Sequence, residues 1–346
     1  MVIRVLILIC LVATSARATT HIIQADGSGD FPTIQDAMFA SDSGDTILLG
    51  NGVFMGSASA FTNLTVKSIS DDPTATVVFW GFQIMMPSVG ETRDFHIEGV
   101  TIHASILASG NVNLFIRNIR QTDNSVPCVE GSGLLRIVDS LFSNCEGHFC
   151  ATEVTISNCT IENYRNDDIF QGVALVENTV IRSSGHSYAF INSGIGGTVA
   201  RNCTFIDNTA YIFGGGGMTF WNCIFTNCSF ESNVNAGTFF NCAFYRNGDV
   251  DEYFAANIGM NGNVLANPAF CGPAEGDLTI CAESPCAPGN SGVGLIGGAT
   301  CRLLRLQCGG DPIGNLWLAE IPISLEEPVH DSTMSQRCAW PRRRLS

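Results

Sequence analysis

Apolar and polar positions along the chain recur in a pattern about 20 residues long. Eight segments share the order apolar, any, Asn (or Asp or Gly), any, any, apolar. Their centres are Gly99, Asn118, Asp139, Asn158, Asn178, Asn202, Asn222 and Asn241, at intervals of 19, 21, 19, 20, 24, 20 and 19 residues. Two positions before each centre stand Ile97, Ile116, Ile137, Ile156, Val176, Ala200, Phe220 and Phe239. Three positions after stand Ile102, Gln121, Phe142, Ile161, Ile181, Phe205, Phe225 and Phe244, so Gln121 is the one polar member of that column.

The flanks of each centre alternate with period two, as strands do. A 20-residue unit has no room for a helix beside its strands, and the leucine-rich consensus is missing. The pattern predicts an all-β solenoid whose coils hold about three short strands each and stack about 4.8 Å apart. The central residue marks a tight bend, where Asn tolerates left-handed angles and its amide can bond from coil to coil. The next position points inward. It holds Cys159, Cys203, Cys223 and Cys242, which read as small apolar core groups, with a metal or redox ladder as the other reading. The 24-residue interval contains residues 194–197 (Gly-Ile-Gly-Gly), expected to protrude as a loop. Residues 31–38 predict a short capping helix, with Pro32 in its first turn and Ile34, Ala37 and Met38 on one face. Residues 26–30 (Asp-Gly-Ser-Gly-Asp) read as a glycine turn, since they lack the alternating acids of a calcium loop.

Composition narrows the function classes. The 346 residues are 45% hydrophobic and 14% charged, which excludes wholesale disorder. A net charge of -15, with Lys67 the single lysine, disfavours a nucleic-acid partner. At the start, Arg4, an apolar run over residues 5–14 and Ala16-Arg-Ala18 describe a signal peptide, with cleavage expected after Ala18. The run is too short to span a bilayer, and no later stretch is long and apolar enough to do so. The expected organisation is a signal peptide at 1–18, a solenoid with its caps at 19–308, and a loosely ordered tail at 309–346. The product is expected to be secreted or held at the cell surface. In that oxidising compartment the late cysteines read as disulfide material, with Cys271–Cys286 and Cys301–Cys308 as the expected pairs. No C-x-x-C pair has partners suited to zinc.

Strings such as Val154-Thr-Ile-Ser-Asn-Cys-Thr-Ile161 and Val199-Ala-Arg-Asn-Cys-Thr-Phe205 resemble the coil repeat of secreted bacterial right-handed parallel β-helix proteins of the pectin lyase-like superfamily. Residues 267–270, 276–279 and 284–286 resemble the closing coil of such proteins. A more distant resemblance is to pectinesterases. It rests on Gly27-Ser-Gly-Asp-Phe-Pro-Thr-Ile-Gln35, on Gln171-Gly-Val-Ala-Leu175, and on Arg201-Asn-Cys-Thr-Phe205 followed by Tyr211-Ile-Phe-Gly214. It implies an esterase site, but Ala210 stands where that family has its nucleophilic aspartate and Ala189 where it has its acid–base aspartate. A methyl group can do neither task.

Projecting the 20-residue step brings other chemistry together. Cys128, His148, Asp168 and Tyr188 fall in one row, and Glu146, Asn166 and His186 in another. His148, Asp168 and His186 are the candidate catalytic group, since histidine beside a carboxylate can move protons. Glu146, Asp167, Tyr188 and Tyr211 are the candidate substrate contacts. The same residues also suit an ordinary solvated face, and Phe149 and Phe170 suit the inward ladder of a strand. No cofactor is implied, and Ca2+ has no motif to support it. Two function classes follow. One is a non-catalytic surface or polysaccharide-binding protein, and the other is a lyase or hydrolase acting on acidic glycans.

Overall fold

The computed structural model describes residues 17–287, apart from 86–87, 89, 123–128, 131–132, 147, 165–168, 184–190, 193–196, 211–212, 215–217, 231–236, 248–254 and 274–276. The chain winds as a right-handed parallel β-helix. Each coil contributes to three columns of strands. The first column runs into the asparagine bend, as in Val112–Arg117 and Leu134–Val138. The second follows the bend, as in Thr160–Glu162 and Val180–Arg182. The third, as in Phe82–Ile84 and Ile106–Ala108, leads back to the first. First and third columns share a 17-stranded sheet, and the second forms an 11-stranded sheet.

The bend forms as the residue types require. Gly99, Asn118, Asp139, Asn158, Asn178, Asn202, Asn222 and Asn241 all have φ between 49° and 67°. Asp71 and Asn261 extend the line at φ 52° each. Left-handed backbone is costly for most L-residues, and Asn and Asp offset that cost with local side-chain bonds. Here the bonds run between coils. Asn202 Nδ2 donates to Asn178 Oδ1 at 3.1 Å, Asn222 Nδ2 to Asn202 Oδ1 at 3.2 Å, and Asn158 Nδ2 to Asp139 Oδ1 at 3.2 Å. A second left-handed column lies five residues further on, at Asn144, Asn163, Ser183, Asp207, Asn227 and Arg246, with φ of 51–55°. The sequence reading did not anticipate it.

Between the bends the alternation buries its apolar rows. The column from Ile97 to Phe239 is at most 1% exposed throughout, and Phe205, Phe225 and Phe244 stack at 4.7 and 5.4 Å between ring centres. Each fully buried Phe contributes roughly 1.5–3 kcal/mol. Gln121 is also fully buried in this row, where its Nε2 donates to the Ala104 carbonyl at 2.6 Å. Cys159, Cys203, Cys223 and Cys242 point inward with no exposure. Each thiol donates to the carbonyl two residues earlier at 3.2–3.3 Å. Burial pushes Cys159 up to about 12, and pushes Cys223 well above the usual thiol range with help from its neighbours Cys203 and Cys242. Such thiols are inert core groups.

The N-terminal end is closed by the helix Ile34–Ala40, which buries Ile34, Ala37 and Met38. Thr33 caps it by accepting from Asp36 N at 3.1 Å, so Pro32 sits just before the helix rather than in its first turn. Gln35 ties the helix to the third column. Its Oε1 accepts from Ser59 N at 2.8 Å, and its Nε2 donates to Ser59 O at 3.3 Å. The turn before the helix needs its glycines. Gly27 has φ 80°, and a Cβ on Gly29 would lie 2.3 Å from the Ile22 carbonyl.

The C-terminal region corrects the expected closing coil. Phe270–Gly272 and Asp277–Ile280 pair with each other, antiparallel. They lie over the outer face of the second column, where Phe270 and Leu278 cover Val180 and Ile206, and Ile280, Cys286 and Ala287 cover Ile224 and Ala243. The disulfide also differs from expectation. Cys271 pairs with Cys281, at a Cα separation of 5.3 Å, while Cys286 is a buried free thiol. The hairpin brings Cys271 and Cys281 to its open end, whereas Cys286 enters the apolar cluster. Cys301, Cys308, the 194–196 part of the expected loop and the 309–346 tail lie outside the described residues.

Three outcomes follow from this packing. Asn202→Ala loses two amide bonds of about 1 kcal/mol each and places Ala in left-handed backbone at about 1–2 kcal/mol. Urea unfolding should therefore show a loss of roughly 3–4 kcal/mol, with Asn202→Gly less affected. Peptide mapping without reduction should yield a Cys271–Cys281 linked pair, and Cys281→Ala should cost about 2–4 kcal/mol. Iodoacetamide should leave Cys159 and Cys223 unlabelled in the native protein and label both once urea unfolds it.

Candidate functional site

The structure describes only part of the patch projected from the 20-residue step. Asp167, Asp168, His186, Tyr188 and Tyr211 lie outside the described residues. His148 does not face solvent as expected, being 9% exposed. The local step is 21 residues, because Phe149 pairs with Phe170. The residue level with His148 on the next coil is therefore Ile169, itself buried. Glu146 is partly exposed. Phe149 and Phe170 form part of the inward ladder, stacked at 5.7 Å. Among the described residues, no three metal-ligating side chains converge.

At the esterase-like positions, Ala210 lies in the short strand Thr209–Ala210. Arg201 faces outward from the first column and pairs with Glu177 at 3.5 Å. Ala189 lies outside the described residues.

A different surface stands out on the first three coils. The exposed large apolar side chains concentrate there: Phe39 (64%), Met55 (67%), Phe61, Phe79, Trp80 (53%) and Met85. They border the third column, which is built from Ala58–Ala60, Phe82–Ile84 and Ile106–Ala108 in parallel register. Phe54, Val78 and Ile102 are level on the preceding strands, so Met55, Phe79 and His103 share the next position and Gly56, Trp80 and Ala104 the one after. Phe79 and His103 stack at 4.9 Å, and His103 Nδ1 lies 3.2 Å from Thr122 Oγ1.

Trp80 is placed differently from the other rings. Its coil neighbours are a glycine and an alanine, and a side chain at Gly56 would meet nothing within 4 Å. Trp80 is half exposed, and among the described residues no other ring stacks on it. At the far edge of the same column, Phe39 stacks on Phe61 at 5.7 Å, and Met85 is level with Phe61. The outward strip between the two edges is Ser59, Gln83 and Leu107, with no charge. From Trp80 to Met85 is five residues, a span of at most ~17 Å of extended chain. Flat apolar faces around a neutral hydrogen-bonding strip suit a ligand with apolar ring faces and hydroxyl edges.

No helix among the described residues is long and apolar enough to cross a membrane. No protein-family model matches the sequence, and no curated protein does. Solved structures do. The PL6 family alginate lyase AlyGC is 13% identical over 64% of this chain and 39% of its own, with a TM-score of 0.43. An alginate lyase from Paenibacillus sp. str. FPU-7 is 16% identical over 65% of this chain and 91% of its own, with a TM-score of 0.41. A pectin methylesterase in complex with hexasaccharide VII is 15% identical over 78% of this chain and 99% of its own, with a TM-score of 0.35. The chain spans well under half the length of the PL6 lyase, and the likeness in each case is to the fold.

Proposed function

We propose that this protein is an exported, non-catalytic β-helix that binds a neutral polysaccharide on its first three coils. The observation that carries this reading is Trp80, half exposed, with Gly56 and Ala104 level with it on the neighbouring coils. A pyranose ring offers an apolar C–H face to an indole, and stacking of that kind contributes about 0.5–1.5 kcal/mol beyond simple burial. Gln83 and Ser59 supply amide and hydroxyl groups near the strip for ring hydroxyls. The chain's net charge of -15 favours a neutral glycan over a polyuronate, which would be repelled. Export rests on the signal-like segment ending at Ala18, and the Cys271–Cys281 disulfide suits an oxidising compartment.

Ala210 and Ala189 support the non-catalytic half of the reading, since neither position holds an ionisable group. The alternative, an enzyme on acidic glycans, would draw on residues in the His148 region.

Affinity electrophoresis through gels containing xylan, mixed-linkage β-glucan, alginate or polygalacturonate tests the proposal, with product release assayed in parallel. Retardation by a neutral glycan is expected, without depolymerisation. Trp80→Ala should weaken it at least about tenfold, equivalent to about 1.4 kcal/mol. Trp221→Ala, at an exposed ring stacked on Phe240, should leave it unchanged. Retention by the polyuronates alone, turnover of any of the four, or binding that survives Trp80→Ala would each overturn it.

A further inference from the structure

Asp45 is a carboxylate with almost no contact with water. It is 4% exposed, at the start of the strand Asp45–Leu49, and nothing in the glycan-binding reading uses it. Its Oδ1 accepts from the backbone N of Thr19 at 2.7 Å. Its Oδ2 accepts from Asp42 N at 2.8 Å and lies 3.4 Å from His21 Nε2. The Thr19 bond leads the contacts that hold Asp45 below the usual carboxylate range. Buried carboxylates are costly unless met by charge or by several donors.

The position of Thr19 gives this contact a second meaning. Thr19 is where the chain joins the β-helix. Its carbonyl accepts from Thr46 N at 2.8 Å, and the first strand, Thr20–Ile23, pairs with Thr46–Leu49 from there onward. Residues 17 and 18 are exposed and take part in no strand pairing. Cleavage after Ala18 would therefore take neither of these two residues out of a strand pairing. Hydrolysis of the Ala18–Thr19 bond adds one water: Ala18 leaves with a carboxylate, and Thr19 keeps its nitrogen as an α-ammonium. That nitrogen is the atom already 2.7 Å from Asp45 Oδ1.

We propose that Asp45, with His21 beside it, is a receptor for the α-ammonium created when the export signal is removed. Processing replaces the uncharged N–H donor to the Asp45 carboxylate with a charged one, which makes an ion pair at the edge of the first coil. The processed chain is held more firmly at its N-terminal end than the precursor. This inference rests on the reading of residues 1–18 as a signal, and the two are tested separately.

N-terminal sequencing of the exported protein tests the processing. Thr19 as the first residue supports it, and a start elsewhere removes the biological setting of the site. The site itself is tested on three purified forms, released from a cleavable N-terminal fusion: one starting at Thr19, one keeping Ala18, and one starting at N-acetylated Thr19. The free Thr19 form should melt at least about 2 °C above the other two. Asp45→Asn should abolish that difference, since a coupling needs both partners. Should Asp45→Asn fail to fold, the acetylated form still decides, because acetylation removes the charge and keeps an N–H donor. Equal melting of all three forms, or a difference that persists in Asp45→Asn, would overturn the proposal.

Discussion

Everything in this fold depends on turning the chain sharply at the same place in every coil. Parallel strands stack in register only if each coil bends where its neighbour bends. The bend is left-handed, which most side chains resist. Asn and Asp accept it, and because coils repeat, the amide that eases the bend in one coil can bond to the amide of the next. Asn178, Asn202 and Asn222 form such a chain of donors and acceptors. The bend also fixes its own neighbours. One residue on, the side chain enters the core: Val100, Ile119, Ser140, Cys159, Thr179, Cys203, Cys223 and Cys242 are all buried. The bend thus fixes that this position is buried, while the residue type that fills it varies from coil to coil.

This explains which parts of the fold could be read from the sequence. Positions restricted by backbone strain and burial together are visible as a column of similar residues, so the first bend and its flanking apolar rows were legible. The second bend obeys the same backbone geometry, but Ser183 and Arg246 interrupt its run of Asn and Asp. Only the constant five-residue offset from the first bend betrays it. The disulfide was not legible because cysteine spacing says nothing about which way a segment folds. Phe270 to Ile280 turns back on itself as a hairpin, which brings Cys281 rather than Cys286 to Cys271.

The candidate site shows the same limit more sharply. A projected 20-residue step is accurate near the bends and fails away from them, where coils absorb extra residues. Phe149 pairs with Phe170, so a projection that is right at Asn158 and Asn178 is wrong by one beside His148. In a strand a shift of one residue exchanges inside for outside. The first coils escaped the projection for a related reason. Phe54, Val78 and Ile102 are level but 24 residues apart, so Gly56, Trp80 and Ala104 carry a period that the 20-residue repeat does not contain.

Repetition also decides where a β-helix can bind anything by stacking. Outward positions level on successive coils touch each other, so large or charged side chains there tend to satisfy one another. Trp221 stacks on Phe240 at 4.1 Å, His96 on Phe115 at 4.5 Å, and Glu98 pairs with Arg117 at 3.1 Å. A ring in such a ladder shows solvent mainly its edge, because its faces belong to its neighbours. Around Trp80 the level positions are Gly56 and Ala104, which carry no ring or charge to continue such a ladder. The same stacking that stabilises the outer rows elsewhere therefore disqualifies them as platforms, and local loss of the repeat is what creates one.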